Sequence, residues 1–281
     1  MNKLSFASSL YPTKLKALSD APRQIYYSGD IDILAQPTVA IVGSRKSTSY
    51  GQSVTEKLAR ELASRGITII SGLAFGVDSF AHSAALSVNG ATVAVLPGGL
   101  DNIYPRSHHL LAKQIVARHG CLVSEYPPKT TAFKYNFIAR NRIIAALSDA
   151  IIITEAAAKS GSIHTANFGL ELGKEIFAVP GAINSPNSEG CNNLLKAGAR
   201  LVTCSDDITN VLGIASAGCR EIVADNQQQQ IILDLIIGGI YDNDTLQQHS
   251  GLDPELFGQT MTILEITNRI APLGGNKWNL K

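Results

Sequence analysis

Seven short runs rich in β-branched residues mark the first 204 positions: TVAIVGS at 38–44, ITIISGLA at 67–74, ATVAVLPG at 91–98, CLVSEY at 121–126, DAIIITEA at 149–156, EIFAVPG at 175–181 and ARLVTC at 199–204. Runs that are apolar throughout, with no polar alternation, read as strands buried on both faces. Between them apolar residues recur at helical spacing, as in Val54, Leu58 and Leu62 ahead of Gly66, and Ala81, Ala84, Ala85 and Val88 ahead of Gly90. The closing glycines fit helix C-terminal stops. Strand and helix in regular alternation predict βαβ units, hence an α/β fold with a mainly parallel sheet and helices on both faces. Ligands of such sheets lie beyond the carboxyl ends of the strands, so function is expected in the loops after each run.

The chain of 281 residues is long enough for about two domains. After Gly213 the pattern gives way to IASAG and ADNQQQQ, which reads as a linker over 214–228. Beyond it, IILDLIIGG, DTLQQHSG and PELFGQTMTILEITN predict three helices, and RIAPLGGNKWNL a hairpin turning at Gly-Gly. Together they form a small winged-helix-like domain at 229–281. Residues 1–36, with Pro12, Pro22 and the run IYY, read as a strand and helix capping the large domain at 37–213.

With 45% hydrophobic and 17% charged residues the chain has the material for a core, which excludes disorder. No apolar run nears the ~20 residues of a membrane span, and the start has no signal-peptide pattern. Cys121, Cys191, Cys204 and Cys219 are scattered singly, which indicates neither a disulfide framework nor a zinc site and suits a reduced cytoplasm.

A net charge of +1 hides a strong asymmetry. From Asn102 to Arg142 seven Lys and Arg face one acid, Glu125, for a net +6, whereas residues 221–281 carry −5. In the basic stretch, Phe133-Lys134-Tyr135-Asn136-Phe137-Ile138-Ala139-Arg140-Asn141-Arg142 interleaves aromatics with cations. Cations track phosphates while aromatic faces stack exposed bases, the pattern of single-strand binding; the alternative is core aromatics and arginines paired with acids.

Three loops bear on chemistry. Gly43-Ser44-Arg45-Lys46-Ser47 lacks the glycines of a P-loop or dinucleotide motif, which disfavours a nucleotide cofactor, but a Gly turn with a hydroxyl and a cation ahead of a helix suits a phosphate. A solvated basic loop is the other reading. Lys159-Ser160-Gly161-Ser162 leads into a helix and reads as an anion nest or as simple N-capping. Asp78 and His82 are spaced to share a helix face, but with no third ligand and no paired nucleophile they read as a helix cap and a core or pocket histidine.

Taken together, VAIVGSR, SGLAFGVDSFAHSAAL, VAVLPGGLDNIYP, LVSEYP, the RNRIIA run within 137–148, EAAAKSGSIHTA and IFAVPG resemble the DNA-processing protein A (DprA/Smf) family over about residues 20–213. The resemblance implies an extended Rossmann-like fold that binds single-stranded DNA, forms a homodimer and loads RecA recombinase during natural transformation, with no established enzymatic activity and no cofactor or metal. Carried onto this chain, it implies a DNA site at Gly43, Ser44, Arg45, Lys134, Phe137, Arg140, Asn141, Arg142, Lys159, Ser160, Gly161 and Ser162. It also places a dimer contact near Leu195 and Leu201. Ile138 departs from the family, which usually has proline there, and the N-terminal helical domain of many members is absent. The rival is a nucleotide-cleaving enzyme of the phosphoribohydrolase type, marked by P-G-G-x-G-T-x-x-E. Here Pro97-Gly98-Gly99 is followed by Leu100-Asp101-Asn102, without the Gly-Thr and the catalytic Glu. The tail, acidic and with no Lys or Arg in its third helix, reads as a protein-interaction or regulatory module instead of a DNA reader.

Overall fold

A computed structural model describes residues 2–214, 224–267 and 269–280. All seven runs form strands: β3 (Thr38–Val42), β4 (Thr68–Ser71), β5 (Thr92–Val95), β6 (Cys121–Ser124), β7 (Ala150–Ile153), β8 (Glu175–Ala178) and β9 (Arg200–Leu201). The N-terminal segment contributes two more, β1 (Asn2–Ser5) and β2 (Gln24–Gly29). The order is β1-β2-β6-β5-β4-β3-β7-β8-β9. Strands β3 to β9 run parallel, while β2 lies antiparallel to β6, with Tyr26 opposite Ser124, and β1 antiparallel to β2. The first 36 residues therefore extend the sheet at its edge where a capping strand and helix were expected, and the helical content there is two 3₁₀ turns, Thr13–Ala17 and Asp32–Ala35.

The central strands β3 to β7 are buried on both faces because helices cover each side of the sheet. Ala40, Val42, Ile151 and Ile153 pack with Ile143, Ile144 and Leu147 of α4 (Lys134–Leu147) and Ala166 of α5 (Gly161–Glu171). Their neighbours Val39, Ile41 and Ile152 face the other way, onto Leu58 and Leu62 of α1 (Ser49–Ser64) and Ala81 and Ala85 of α2 (Val77–Ser87). A period of two along the strands thus feeds two apolar layers. The β3–α1 connection leads to β4 on one side and β7 returns on the other, so the topological switch lies between β3 and β7. Both strands end there in register, Val42 beside Ile153.

Residues 1–216 and 217–281 are separate compact units. In the second, α8 (Gln227–Ile237), α9 (Asn243–Ser250) and α10 (Pro254–Ile266) enclose Ile232, Leu233, Ile236, Leu246, Phe257, Met261 and Leu264, and β10 (Ile270–Gly274) pairs with β11 (Lys277–Leu280). Each helix begins on a side-chain cap, from Asn226, Asp242 and Asp253. Most of the expected linker and Cys219 lie outside the described residues, and the linker's last positions, Gln227 and Gln228, already belong to α8. No helix among the described residues is long and apolar enough to cross a membrane.

Candidate nucleic-acid interface

At the switch point the loop after β3 is held by the strand beside it. Ser44 N–H donates to the Glu155 carbonyl at 2.6 Å, and Lys46 N–H to Ser44 Oγ at 3.1 Å. The Glu155 side chain, 2% exposed, accepts from Thr48 N–H at 2.8 Å and from its hydroxyl at 2.7 Å, at the start of α1. The expected phosphate cradle of exposed amides is thus partly taken up: the Glu155 carboxylate holds the Thr48 amide, Thr48 Oγ1 caps the Gly51 amide, and the protein's own carboxylate stands at the positive end of the α1 dipole. What the loop offers to solvent is the Arg45 and Lys46 side chains.

The basic run forms α4, and burial sorts its cations. Arg140 points inward, 4% exposed, and donates to the carbonyls of Gly72 and Val95, tying the ends of β4 and β5 together. Gly72 leaves the guanidinium its place, since a Cβ there would fall 2.4 Å from it and displace it. Burial pulls the Arg140 guanidinium down to about 10, against the pull of Asp78. Arg142 is ion-paired with Glu125 at 2.5 Å and Asp20 at 3.3 Å. Burial raises the Glu125 carboxyl more than that guanidinium lowers it. Both arginines were expected to meet phosphate, and both are instead consumed by the fold, because a buried guanidinium needs internal acceptors. Asn141 bridges from α4 to the Gly161 carbonyl at 3.2 Å.

Left at the surface are Lys134 at the start of α4, Phe137 one turn on, and Arg45. Two of them meet: the Arg45 guanidinium lies over the Phe137 ring at 4.9 Å, and Tyr104 meets that ring edge-on at 5.3 Å and 77°. Phe133 and Tyr135 stack at 5.9 Å, 55% and 68% exposed. Cation–π contact and an open aromatic face are the elements that grip a stacked base beside its phosphate.

At α5, Ser160 is the N-cap, its Oγ accepting from Ser162 N–H at 3.4 Å and lying 2.8 Å from Ser162 Oγ, with Lys159 exposed beside it. N-capping thus accounts for the hydroxyls, and no ion pair engages Lys159 among the described residues. Asp78 accepts from the amides of Gly72 and Ala74 at 3.1 and 3.3 Å, shaping the loop after β4, and burial raises its carboxyl above the ordinary range. His82 is fully buried, its Nδ1 2.7 Å from the Thr92 hydroxyl, which itself donates to the Ile69 carbonyl. Burial lowers its imidazole to about 3, so it stays neutral in the core. At the far edge of the sheet, Leu201 is 53% exposed on β9, whereas Leu195 packs partly against the core.

Sequence reasoning missed Tyr104, Phe75 and the capping role of Glu155. Tyr104 lies in the IYP segment quoted above, and Phe75 follows β4 in LAFG, its ring edge-on to His108 at 5.0 Å; exposed aromatics in loops after strands were the available signal. The Pro97-Gly98-Gly99 segment is structural, for a Cβ on Gly99 would fall 2.1 Å from the Pro128 carbonyl.

Comparison with known proteins places this arrangement. Escherichia coli Protein Smf is 46% identical over 201 residues, 72% of this chain and 54% of that one. The Bacillus subtilis DNA processing protein DprA is 39% identical, covering 74% of this chain and 70% of that one. The chain thus spans about half the length of the Escherichia coli relative. Among solved structures, DNA processing protein A from Streptococcus pneumoniae superposes with a TM-score of 0.71 at 39% identity, over 74% of this chain and 73% of that one. The protein of that name from Helicobacter pylori, solved to describe its single-stranded DNA binding mode, gives 0.68 at 37% identity, over 75% and 96%. The family model described as DNA recombination-mediator protein A matches residues 2–213, three-quarters of the sequence, with the nine-stranded sheet, the α4 run and the switch-point loop all inside the match, and the chain belongs to that family.

Proposed function

We propose that the chain binds single-stranded DNA along the carboxyl edge of its sheet, in DNA processing during natural transformation, and passes the strand to RecA. The observation that carries the reading is the Arg45 guanidinium 4.9 Å above the Phe137 ring, with Tyr104 on its edge and Lys134 exposed on the same helix. A planar base can stack where a cation already stands ready for its phosphate. The Helicobacter pylori relative, with a described single-stranded DNA binding mode, supports it. The protein acts as a cytoplasmic homodimer through the β9 edge around Leu195 and Leu201. It is a binding protein, not an enzyme.

Fluorescence anisotropy with labelled oligo-dT and a duplex of equal length tests the reading. Tighter binding to the single strand, falling steeply with salt, is expected. Equal affinity for the duplex, or indifference to salt, refutes it. A monomer mass by light scattering at tens of micromolar would remove the dimer, and no gain in RecA-dependent strand pairing would remove the handover.

A further inference from the structure

Beside Tyr104 the surface opens into a groove of about 680 Å³ whose walls include Asp101, Asn102, Ile103, Tyr104, Arg106 and His109. Its size is that of a small-molecule or nucleotide site. Phe137 is half-buried with Arg45 on one face, whereas Tyr104 is 48% exposed, so Tyr104 presents the more open ring. Arg106 and His109 are exposed, and no ion pair engages either among the described residues. The loop carrying them is anchored: Asp101 N–H donates to the Pro128 carbonyl at 2.9 Å and Asn102 Nδ2 to the Lys129 carbonyl at 2.7 Å.

The geometry points to a second nucleotide subsite in this groove, for the residue of a single DNA strand next to the one held at Arg45 and Phe137; this rests on the reading of that site as strand-binding. The base stacks on Tyr104, whose ring stands at 77° to that of Phe137, so the strand turns between the two bases. Its phosphate goes to Arg106 and His109, since the Asp101 carboxylate would repel it. Asp101 instead accepts from the edge of the base. Every DNA base has an N–H on its Watson–Crick edge, so the acid tolerates any sequence.

The test is anisotropy of the full chain with oligo-dT over a salt series, comparing wild type with Phe137→Ala, Tyr104→Ala, Tyr104→Phe and Arg106→Ala. Tyr104→Ala should weaken binding by roughly 5- to 100-fold, the loss of one base stack, and Tyr104→Phe should bind within about twofold of wild type, because stacking does not need the hydroxyl. Arg106→Ala should flatten the slope of log affinity against log salt by about 0.7, one single-strand phosphate contact. Because Tyr104→Ala also removes a neighbour of Phe137, the Arg106 slope and position-dependent fluorescence of 2-aminopurine, placed one nucleotide at a time along the oligomer, keep the subsite separable. A 2-aminopurine signal at one position, lost in Tyr104→Ala and kept in Tyr104→Phe, supports it. If Phe137→Ala weakens binding while Tyr104→Ala and Arg106→Ala match wild type, the subsite is overturned and the main site stands. If wild type does not bind oligo-dT, both fall. Tighter binding of oligo-rU than of oligo-dT overturns the assignment to DNA.

Discussion

Phe137 is the sharpest lever on the site, because two different forces meet on its ring. Replacing it by alanine removes a base stack worth about 1–3 kcal/mol, and it also unseats Arg45, whose guanidinium stands 4.9 Å from the centroid. An exposed cation–π contact is worth about 0.5–1 kcal/mol. Arg45→Ala alone should flatten the salt slope by about 0.7, while Phe137→Ala should flatten it by less, since the cation is still present but no longer fixed. If the ring holds Arg45 in place for the phosphate, the double variant must lose less than the sum of the single losses, by a factor of roughly 2–5 in affinity. A double-mutant cycle measured by anisotropy with labelled oligo-dT at several salt concentrations reads both quantities. Strict additivity, or Phe137→Ala binding within twofold of wild type, would refute the idea of a shared cation and stacking platform.

Three further outcomes follow from the same geometry. Arg140→Met leaves the Gly72 and Val95 carbonyls without their donor and Asp78 without its cation; at about 3–5 kcal/mol for such a loss, and about 2–4 °C per kcal/mol for a domain of this size, calorimetry should show Tm lowered by roughly 6–20 °C. An unchanged Tm with abolished DNA binding would return Arg140 to the interface. His82 is held neutral, with its imidazole at about 3 in the folded state against an ordinary 6.5; the unfolded chain therefore takes up a proton that the native one refuses, and stability falls as pH drops from about 6.5 towards 3, by up to about 1.4 kcal/mol per pH unit. His82→Leu should flatten that acid limb in urea titrations, and an identical slope in the variant would contradict it. Deleting residues 221–281, which carry −5, should leave affinity for single-stranded DNA unchanged or higher; a loss beyond about tenfold, ~1.4 kcal/mol, would mean that the tail helps to hold DNA.

Local pattern determined the parallel strands of the first unit and the helices and hairpin of the second. Each of the seven apolar runs holds a strand that starts within one residue of the run and ends two or three residues short of it, because the last residues of each run already turn into the loop that follows. The tail's three helices and hairpin were equally plain, each helix opened by a capping Asn or Asp, though the hairpin turns one residue later than the expected Gly-Gly, at Gly275-Asn276, whose left-handed backbone suits such a turn. The two N-terminal strands were less legible: β1 at the sheet edge has four residues and pairs with β2, and β2 owes its place to pairing with β6, far away in sequence. The same limit governs the site. Sequence showed where cations and aromatics were concentrated but not which way each pointed. Arg140, Arg142 and Lys134 look alike in a list of charges, yet only the tertiary fold supplies the carbonyls of Gly72 and Val95 and the acids Asp20 and Glu125 that draw the two arginines inward. Likewise the anion that fills the α1 N-terminus comes from Glu155, more than a hundred residues away, and the ring beside Phe137 from Tyr104 in another loop. Helix and strand are set by neighbours along the chain, whereas the fate of a charge is set by whatever the fold brings within hydrogen-bonding distance, because removing it from water is costly unless a partner is there.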